Sequence, residues 1–200
     1  MNPGLVLLQG VVRGVLCRHH LRKPKDDMSL KLLTELLHEH KRRFMFDCEM
    51  NKHLKKKKIR HANFPSHISE NIVKFVLFRK HKIMPTWNTR KGDLEFLHMK
   101  LEVKAFSSKG PTTFGPTEEW DRIYFVDATQ FHQSEFKVYE CNLKNTSVEW
   151  QQLLINGKRK QTYGDQCKQG RRPRLYFEKI REQLGTNCKM IFDGFLGKKK

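Results

Sequence analysis

The 200-residue chain predicts an α/β fold, a mixed central sheet flanked by helices. Three stretches carry that expectation. From Pro65 to about Lys82 apolar residues recur at helical spacing, with Ile68, Ile72, Phe75 and Val76 on one side. From Asp93 to Phe106 residues alternate with a period of two, as a half-buried hairpin requires. Ile123-Tyr-Phe-Val126 is a continuous apolar run, the pattern of a strand covered on both faces.

In chain order, residues 1–27 look foreign to the rest of the chain. Gly4–Leu16 is apolar but broken by Gln9, Gly10, Arg13 and Gly14, too short for the about 20 apolar residues that cross a bilayer. Its positive charges come after the apolar run, the reverse of a signal peptide. We therefore read 1–27 as a dispensable basic extension, Met28 as the functional start and 28–200 as one domain. Leu30, Leu33, Leu37 and Phe44 predict a first helix capped by Ser29. Lys55-Lys56-Lys57-Lys58 comes next, a charge run suited to phosphate contact. Pro65-Ser66 opens the second helix, with Ser66 or Ser69 as its cap. Glu70 near its first turn suits the helix dipole. The hairpin is expected as strands Asp93–Leu97 and Lys100–Phe106 with a turn near His98-Met99.

Two Gly-Pro steps, Gly110-Pro111 and Gly115-Pro116, shape the next loop, whose Ser107, Ser108 and Lys109 can donate to phosphates or base edges. Glu118–Asp121 should turn into the buried strand, with Trp120 in the core and Asp127 capping the strand's end. Phe136–Cys141 alternates as a further strand, and Thr146-Ser-Val-Glu149 fits a capping box opening a helix through about Ile155. Residues 157–160 and Gly170–Arg174 are basic loops, and a last helix, Leu175 to about Leu184, stops at Gly185. Arg171, Arg172 and Arg174 suit bidentate contact with guanine or phosphate.

Charge is unevenly spread. Residues 1–61 hold 15 basic and 6 acidic side chains, residues 158–200 hold 13 and 4, and the middle holds 12 and 11. Two basic flanks around a nearly neutral centre attract a polyanion, as a nucleic-acid-binding protein requires. The five cysteines are odd in number and lack a Cys-x-x-Cys pair, which argues against a zinc ribbon and a disulfide framework and for a reducing, cytoplasmic home. The absence of a GxxxxGK[ST] loop leaves an NTP-driven motor unsupported.

Chemistry concentrates in the hairpin. Leu101, Val103 and Ala105 share one face, while Glu102 and Lys104 share the other, with Asp93 and Glu95 projecting together from the first strand. If the strands pair, carboxylates and one ammonium converge. Such oxygen ligands suit Mg²⁺, which keeps several waters and takes one or two carboxylates. That is a metal-dependent phosphodiesterase site in outline.

The run Glu102-Val-Lys104-Ala-Phe-Ser-Ser-Lys-Gly-Pro through Tyr-Phe-Val-Asp127 resembles small type II restriction endonucleases of the PD-(D/E)XK superfamily. Within them it is most similar to a compact branch that cuts short interrupted GC-rich sites. The resemblance covers roughly residues 63–143. Gly92, not Pro, precedes the Asp, so the motif's first letter is missing, though no ligand is lost. The resemblance implies a restriction endonuclease-like fold and Mg²⁺-dependent hydrolysis of double-stranded DNA. It implies Asp93, Glu102 and the Val103 carbonyl as metal ligands, with Glu70 as a further acidic group. Lys104 would position the water and stabilise developing charge. It also implies a homodimer, for a twofold target, and a cognate DNA methyltransferase. Two other readings stay open: a nuclease of the same superfamily in repair or junction resolution, and a non-catalytic basic nucleic-acid-binding protein.

Overall fold

The alternation at Asp93–Phe106 builds the middle of a six-stranded sheet in the computed structural model, which describes residues 30–88, 92–156 and 160–196. The expectations for residues 1–27, Met28, Ser29 and residues 157–159 lie outside the described residues. The strands are β1 Thr86–Trp87, β2 Leu94–Phe96, β3 Met99–Phe106, β4 Thr112–Thr113, β5 Arg122–Asp127, β6 Glu135–Cys141, β7 Leu154–Asn156, β8 Gln161–Thr162, β9 Arg174–Leu175 and β10 Cys188–Phe195. The main sheet runs β1-β2-β3-β5-β6-β10. Only its β3–β5 pair is parallel, so the sheet is mixed. A parallel pair needs a long crossover, and residues 107–121 supply it. Asp121 closes that crossover: its carboxylate accepts the Lys100 N–H at 2.9 Å, and its own N–H donates to the Lys100 carbonyl at 2.9 Å.

Among the described residues five helices cover the two faces: α1 Leu30–His53, α2 Ser66–His81, α3 Val148–Gln151, α4 Tyr163–Lys168 and α5 Phe177–Leu184. Leu101, Val103, Tyr124 and Val126 pack against Leu33 and Leu37 of α1 and Ile68, Ile72 and Val76 of α2. On the other face Ile123 and Phe125 pack against Trp120, Trp150 of α3, Tyr163 of α4 and Phe177 of α5. Ile123, Tyr124, Phe125 and Val126 are each at most 1 % exposed, as the apolar run predicts. At about 1.5–3 kcal/mol for each fully buried large apolar side chain, β5 is the anchor of the fold.

Several local expectations are corrected. The hairpin turn is Leu97-His98, one residue earlier, and both residues take positive φ, 49° and 65°. The two-residue primed turn matches the twist of the strands and prevails over the preference of such turns for Asn-Gly. Helix α2 begins after Pro65 with no side-chain cap, so neither Ser66 nor Ser69 caps it; the Ser69 hydroxyl bonds back to the Ser66 carbonyl instead. The expected helix through Ile155 stops at Gln151, with Ser147 rather than Thr146 as its cap. Beyond it, β7 pairs with β8, and the Leu154 N–H bonds the Gln183 side chain at 2.7 Å. These tertiary partners satisfy backbone that a longer helix would otherwise use. The last helix begins at Phe177, because Arg174 and Leu175 pair with Thr113 and Thr112. Asp127 does cap its strand, accepting from the Thr129 N–H and hydroxyl.

Candidate active site

The site forms where β2 begins beside β3. The ladder places Leu94 opposite Leu101, so β2 begins one residue after Asp93. There the Asp93 carboxylate takes the place of a backbone partner, accepting the Val103 N–H at 2.7 Å. The N–H and C=O of a strand residue point to the same side, so the Val103 carbonyl faces the same edge as Asp93. Glu102 and Lys104 project from the opposite face of β3 to Leu101 and Val103. Glu102 is 4 % exposed, and its Oε1 lies 2.5 Å from the Lys104 ammonium. Gly92 has φ 77°, which a proline, locked near −65°, cannot adopt. That explains the glycine where the resembled motif has proline.

Helix α2 brings a third carboxyl. Glu70 is buried, and burial, with added repulsion from Asp93 and Glu102, pushes its pKa up to about 7. Glu102 is also pushed up to about 7, by burial first, with Lys104 opposing and Asp93 adding. Asp93 is raised by burial against the pull of the Val103 N–H and Lys104. Burial works against the Lys104 ammonium, yet Glu102 and Glu118 outweigh it and hold its pKa above the usual lysine value. The site thus holds more carboxylate than its cation can neutralise.

Excess buried negative charge is what a divalent cation relieves, so these residues fit one. Among the described residues no group of three or more His, Cys, Asp or Glu side chains is set for a metal. Two carboxylates and a backbone carbonyl leave room for water and phosphate oxygens, which suits Mg²⁺.

An open cavity of about 410 Å³ leads to the site. Asp93, Val103 and Lys104 line it with Ser107 and Ser108, so the structure unites those expected residues. Lys109 is exposed beside them. Thr112 and Thr113 also line the cavity, and their pairing with β9 sets Arg174 directly opposite Thr113. Arg171 borders a different hollow with Lys160 and Lys168, and Arg172 is exposed nearby. Lys55, Lys56, Lys57 and Lys58 lie exposed after α1, and Lys58 donates to the Asn51 carbonyl near that helix's end. Glu95 does not join the site; it accepts from Asn88 at 3.2 Å and lies 3.9 Å from His98.

Sequence reading missed one residue. Glu118 was expected only to turn the chain, but its Oε1 lies 3.2 Å from the Lys104 ammonium. The paired acids at 118 and 119 were the available signal, and the crossover's path alone decides which of them turns inward. Glu119 pairs with Lys100 instead, at 2.8 Å.

Residues 35–181 match the Bsp6I restriction endonuclease family. The chain is also similar to the type II restriction enzyme Bsp6I of Bacillus sp. (strain RFL6), 30 % identical over 129 residues, which cover 64 % of this chain and 70 % of that enzyme. No solved structure matches. Asp93, Glu102, Lys104 and Glu118 all fall within the matched segment, and the chain belongs to the Bsp6I restriction endonuclease family.

Proposed function

We propose that this chain cuts both strands of a short double-stranded DNA site by Mg²⁺-dependent hydrolysis, using a PD-(D/E)XK site made of Asp93, Glu102 and Lys104. Family membership makes it a type II site-specific deoxyribonuclease of a restriction-modification system. That sets aside the repair nuclease and the non-catalytic binder. The observation that supports the reading of the site is that Asp93 and Lys104 line one open cavity while the buried Glu102 pairs with Lys104 at 2.5 Å.

Asp93, Glu102 and the Val103 carbonyl would hold the metal, with Glu70 adding charge from α2. When bound, the ion supplies a polarised phosphate and an acidified water. Lys104 keeps an ammonium at the cavity wall, where it can orient that water and offset charge building on phosphorus. Asp93 holds the β3 backbone through the Val103 N–H, which fixes the spacing of Glu102 and Lys104. Ser107, Ser108 and Lys109 suit the phosphates beside the scissile bond. A twofold target needs two such sites, hence a homodimer, and protection of the host genome needs a methyltransferase that modifies the same site. Among the described residues no helix is long and apolar enough to cross a membrane.

The test is digestion of a mapped plasmid by purified protein with Mg²⁺, and then sequencing of the ends. A single recurring sequence at every end is expected. No cutting, or scattered ends, would remove the reading.

Two further outcomes are expected. A two-stranded ribbon fits the major groove, and Arg174 stands on such a ribbon beside the cavity. Arg174→Gln should therefore relax discrimination at one base pair by about 1–3 kcal/mol. Arg171→Gln, away from the cavity, should leave the cut sequence unchanged. Cleavage profiles on a randomised-site library decide between them. Replacing Lys55, Lys56 and Lys57 with Gln should flatten the log–log salt dependence of binding by about 3, at about 0.9 per phosphate contact, without changing the site cut. An unchanged slope would make the run a solvated surface.

A further inference from the structure

Lys104 is shared between two carboxylates, and they are not equivalent. Glu102 sits on the same strand face at 2.5 Å and is a candidate metal ligand, so its oxygens have a second duty. Glu118 approaches from the crossover at 3.2 Å. Its other oxygen, Oε2, is buried with no hydrogen-bond partner. A buried carboxylate oxygen left unsatisfied is costly and calls for an explanation. The chain around Glu118 is fixed by several independent contacts. The Asn145 side chain donates to the Glu118 carbonyl at 2.5 Å and accepts the Trp120 N–H at 3.4 Å. Gln151 donates to the Asn145 carbonyl at 2.6 Å, tying the turn to α3. The Glu118 N–H donates to the Gly115 carbonyl, closing the turn on itself. Gly115 leaves the space the side chain fills: a Cβ there would lie 3.0 Å from Glu118 Cγ and Oε1. The Phe114 ring forms a further wall, 5.9 Å from the Lys104 ammonium.

We propose that Glu118 is a positioning residue for cleavage: it gives the Lys104 ammonium a second anchor at the cavity wall, so that its place does not depend on Glu102 alone, the carboxylate proposed for the metal. An ammonium has three donors. One goes to Glu118 and one to Glu102, and the third is left to face the attacking water or the phosphate. Without Glu118 the flexible lysine has only Glu102 to follow, and it is drawn toward the carboxylate that has to bind the ion. Glu118 touches neither water nor phosphate; it acts through Lys104. The inference rests on Lys104 acting in DNA cleavage.

The test uses the full chain and a plasmid that the wild-type protein cuts with Mg²⁺. Glu118→Gln keeps the shape of the side chain and removes its charge. Its kcat, per protein competent to bind DNA in Ca²⁺, should fall about 10- to 100-fold, the scale of misplacing a reacting group. Its KM and its Ca²⁺-supported DNA affinity should be no weaker, and its Tm no lower. A residue that merely held the turn would lower Tm and leave kcat per competent protein unchanged. Gly115→Ala, which crowds the carboxylate without altering a charge, should show a smaller kcat loss with the same split. A Glu118→Gln kcat within twofold of wild type, or a loss mirrored in weaker binding, overturns the inference. A wild type that cuts nothing is a different result: it removes the catalytic reading itself and this role with it.

Discussion

Lys104→Ala should lose about 10²–10³-fold in cleavage rate, the usual effect of deleting one preorganised charge stabiliser. Its affinity for DNA should barely change, because one ammonium is a small part of the attraction exerted by 40 basic residues. Asp93→Asn and Glu102→Gln should also stop cutting, each by weakening the proposed metal site. Both variants remove a negative charge from the cavity, so without metal they should bind DNA at least as tightly as wild type. Ca²⁺, larger and less exacting in geometry, should support binding without hydrolysis. Cleavage measured beside gel-shift binding, in Mg²⁺ and in Ca²⁺, separates these effects. Lys104→Ala carries a secondary cost, since Glu102 and Glu118 lose their shared cation. Its metal-free Tm should fall, and Ca²⁺ should restore much of the loss. Near-normal cutting by Lys104→Ala or Glu102→Gln would remove the hairpin from the cutting site.

Glu70→Gln should stabilise the metal-free protein, increasingly so as pH rises. The folded protein holds the Glu70 proton up to about pH 7, against 4.5 for an ordinary glutamate. Between those values the folded state binds more protons than the unfolded chain, so this group's contribution to stability falls as pH rises. Glutamine cannot ionise and is spared that loss. The variant's advantage should therefore be small near pH 4.5, grow through the interval and level off above about 7, reaching about 1–3 kcal/mol. Glu102 shares the repulsion and sets the upper end lower than the full shift implies. Comparing two proteins that differ only at Glu70 cancels His40, whose depressed pKa works in the opposite direction over part of the same range. Urea melts in EDTA at pH 5, 6, 7 and 8 measure the effect. Added Mg²⁺ should stabilise the wild type more than the variant if Glu70 contributes to the metal site. A gap that stays flat with pH would place Glu70 outside the charge cluster.

The parts of this architecture written in short-range pattern are the parts legible in the sequence. Alternation puts Leu101 and Val103 on one face of the strand and Glu102 and Lys104 on the other, and Leu101 and Val103 do pack together in the core with α1 and α2. Helical spacing at Ile68, Ile72 and Val76 finds α2, and the apolar run finds β5. Contacts made at long range were not legible. Glu118 reaches Lys104 only because the crossover turns back over the sheet, and Thr112-Thr113 becomes a strand only because Arg174-Leu175 lies beside it. Edge strand β10 escaped for a related reason. A bulge between Met190 and Phe192 breaks its alternation, so its pattern fits neither a strand nor a helix. The family resemblance supplied the roles of Asp93, Glu102 and Lys104, which the bare pattern of an acid and a later Glu-x-Lys does not carry.

The pairing of Thr112 and Thr113 with Leu175 and Arg174 also has a consequence in time. Asp93, Glu102, Lys104 and Glu118 are all synthesised in the first 118 residues, yet the crossover carrying Glu118 is pinned by a strand made more than fifty residues later. The Phe114 N–H likewise waits for the Pro173 carbonyl. Contacts so distant along the chain form late, because loop closure must precede them. A nascent or truncated chain ending before Arg174 therefore carries every acid and the lysine but lacks the brace that sets them. If the proposed site does the cutting, a copy truncated before Arg174 should keep all four side chains and still cleave poorly.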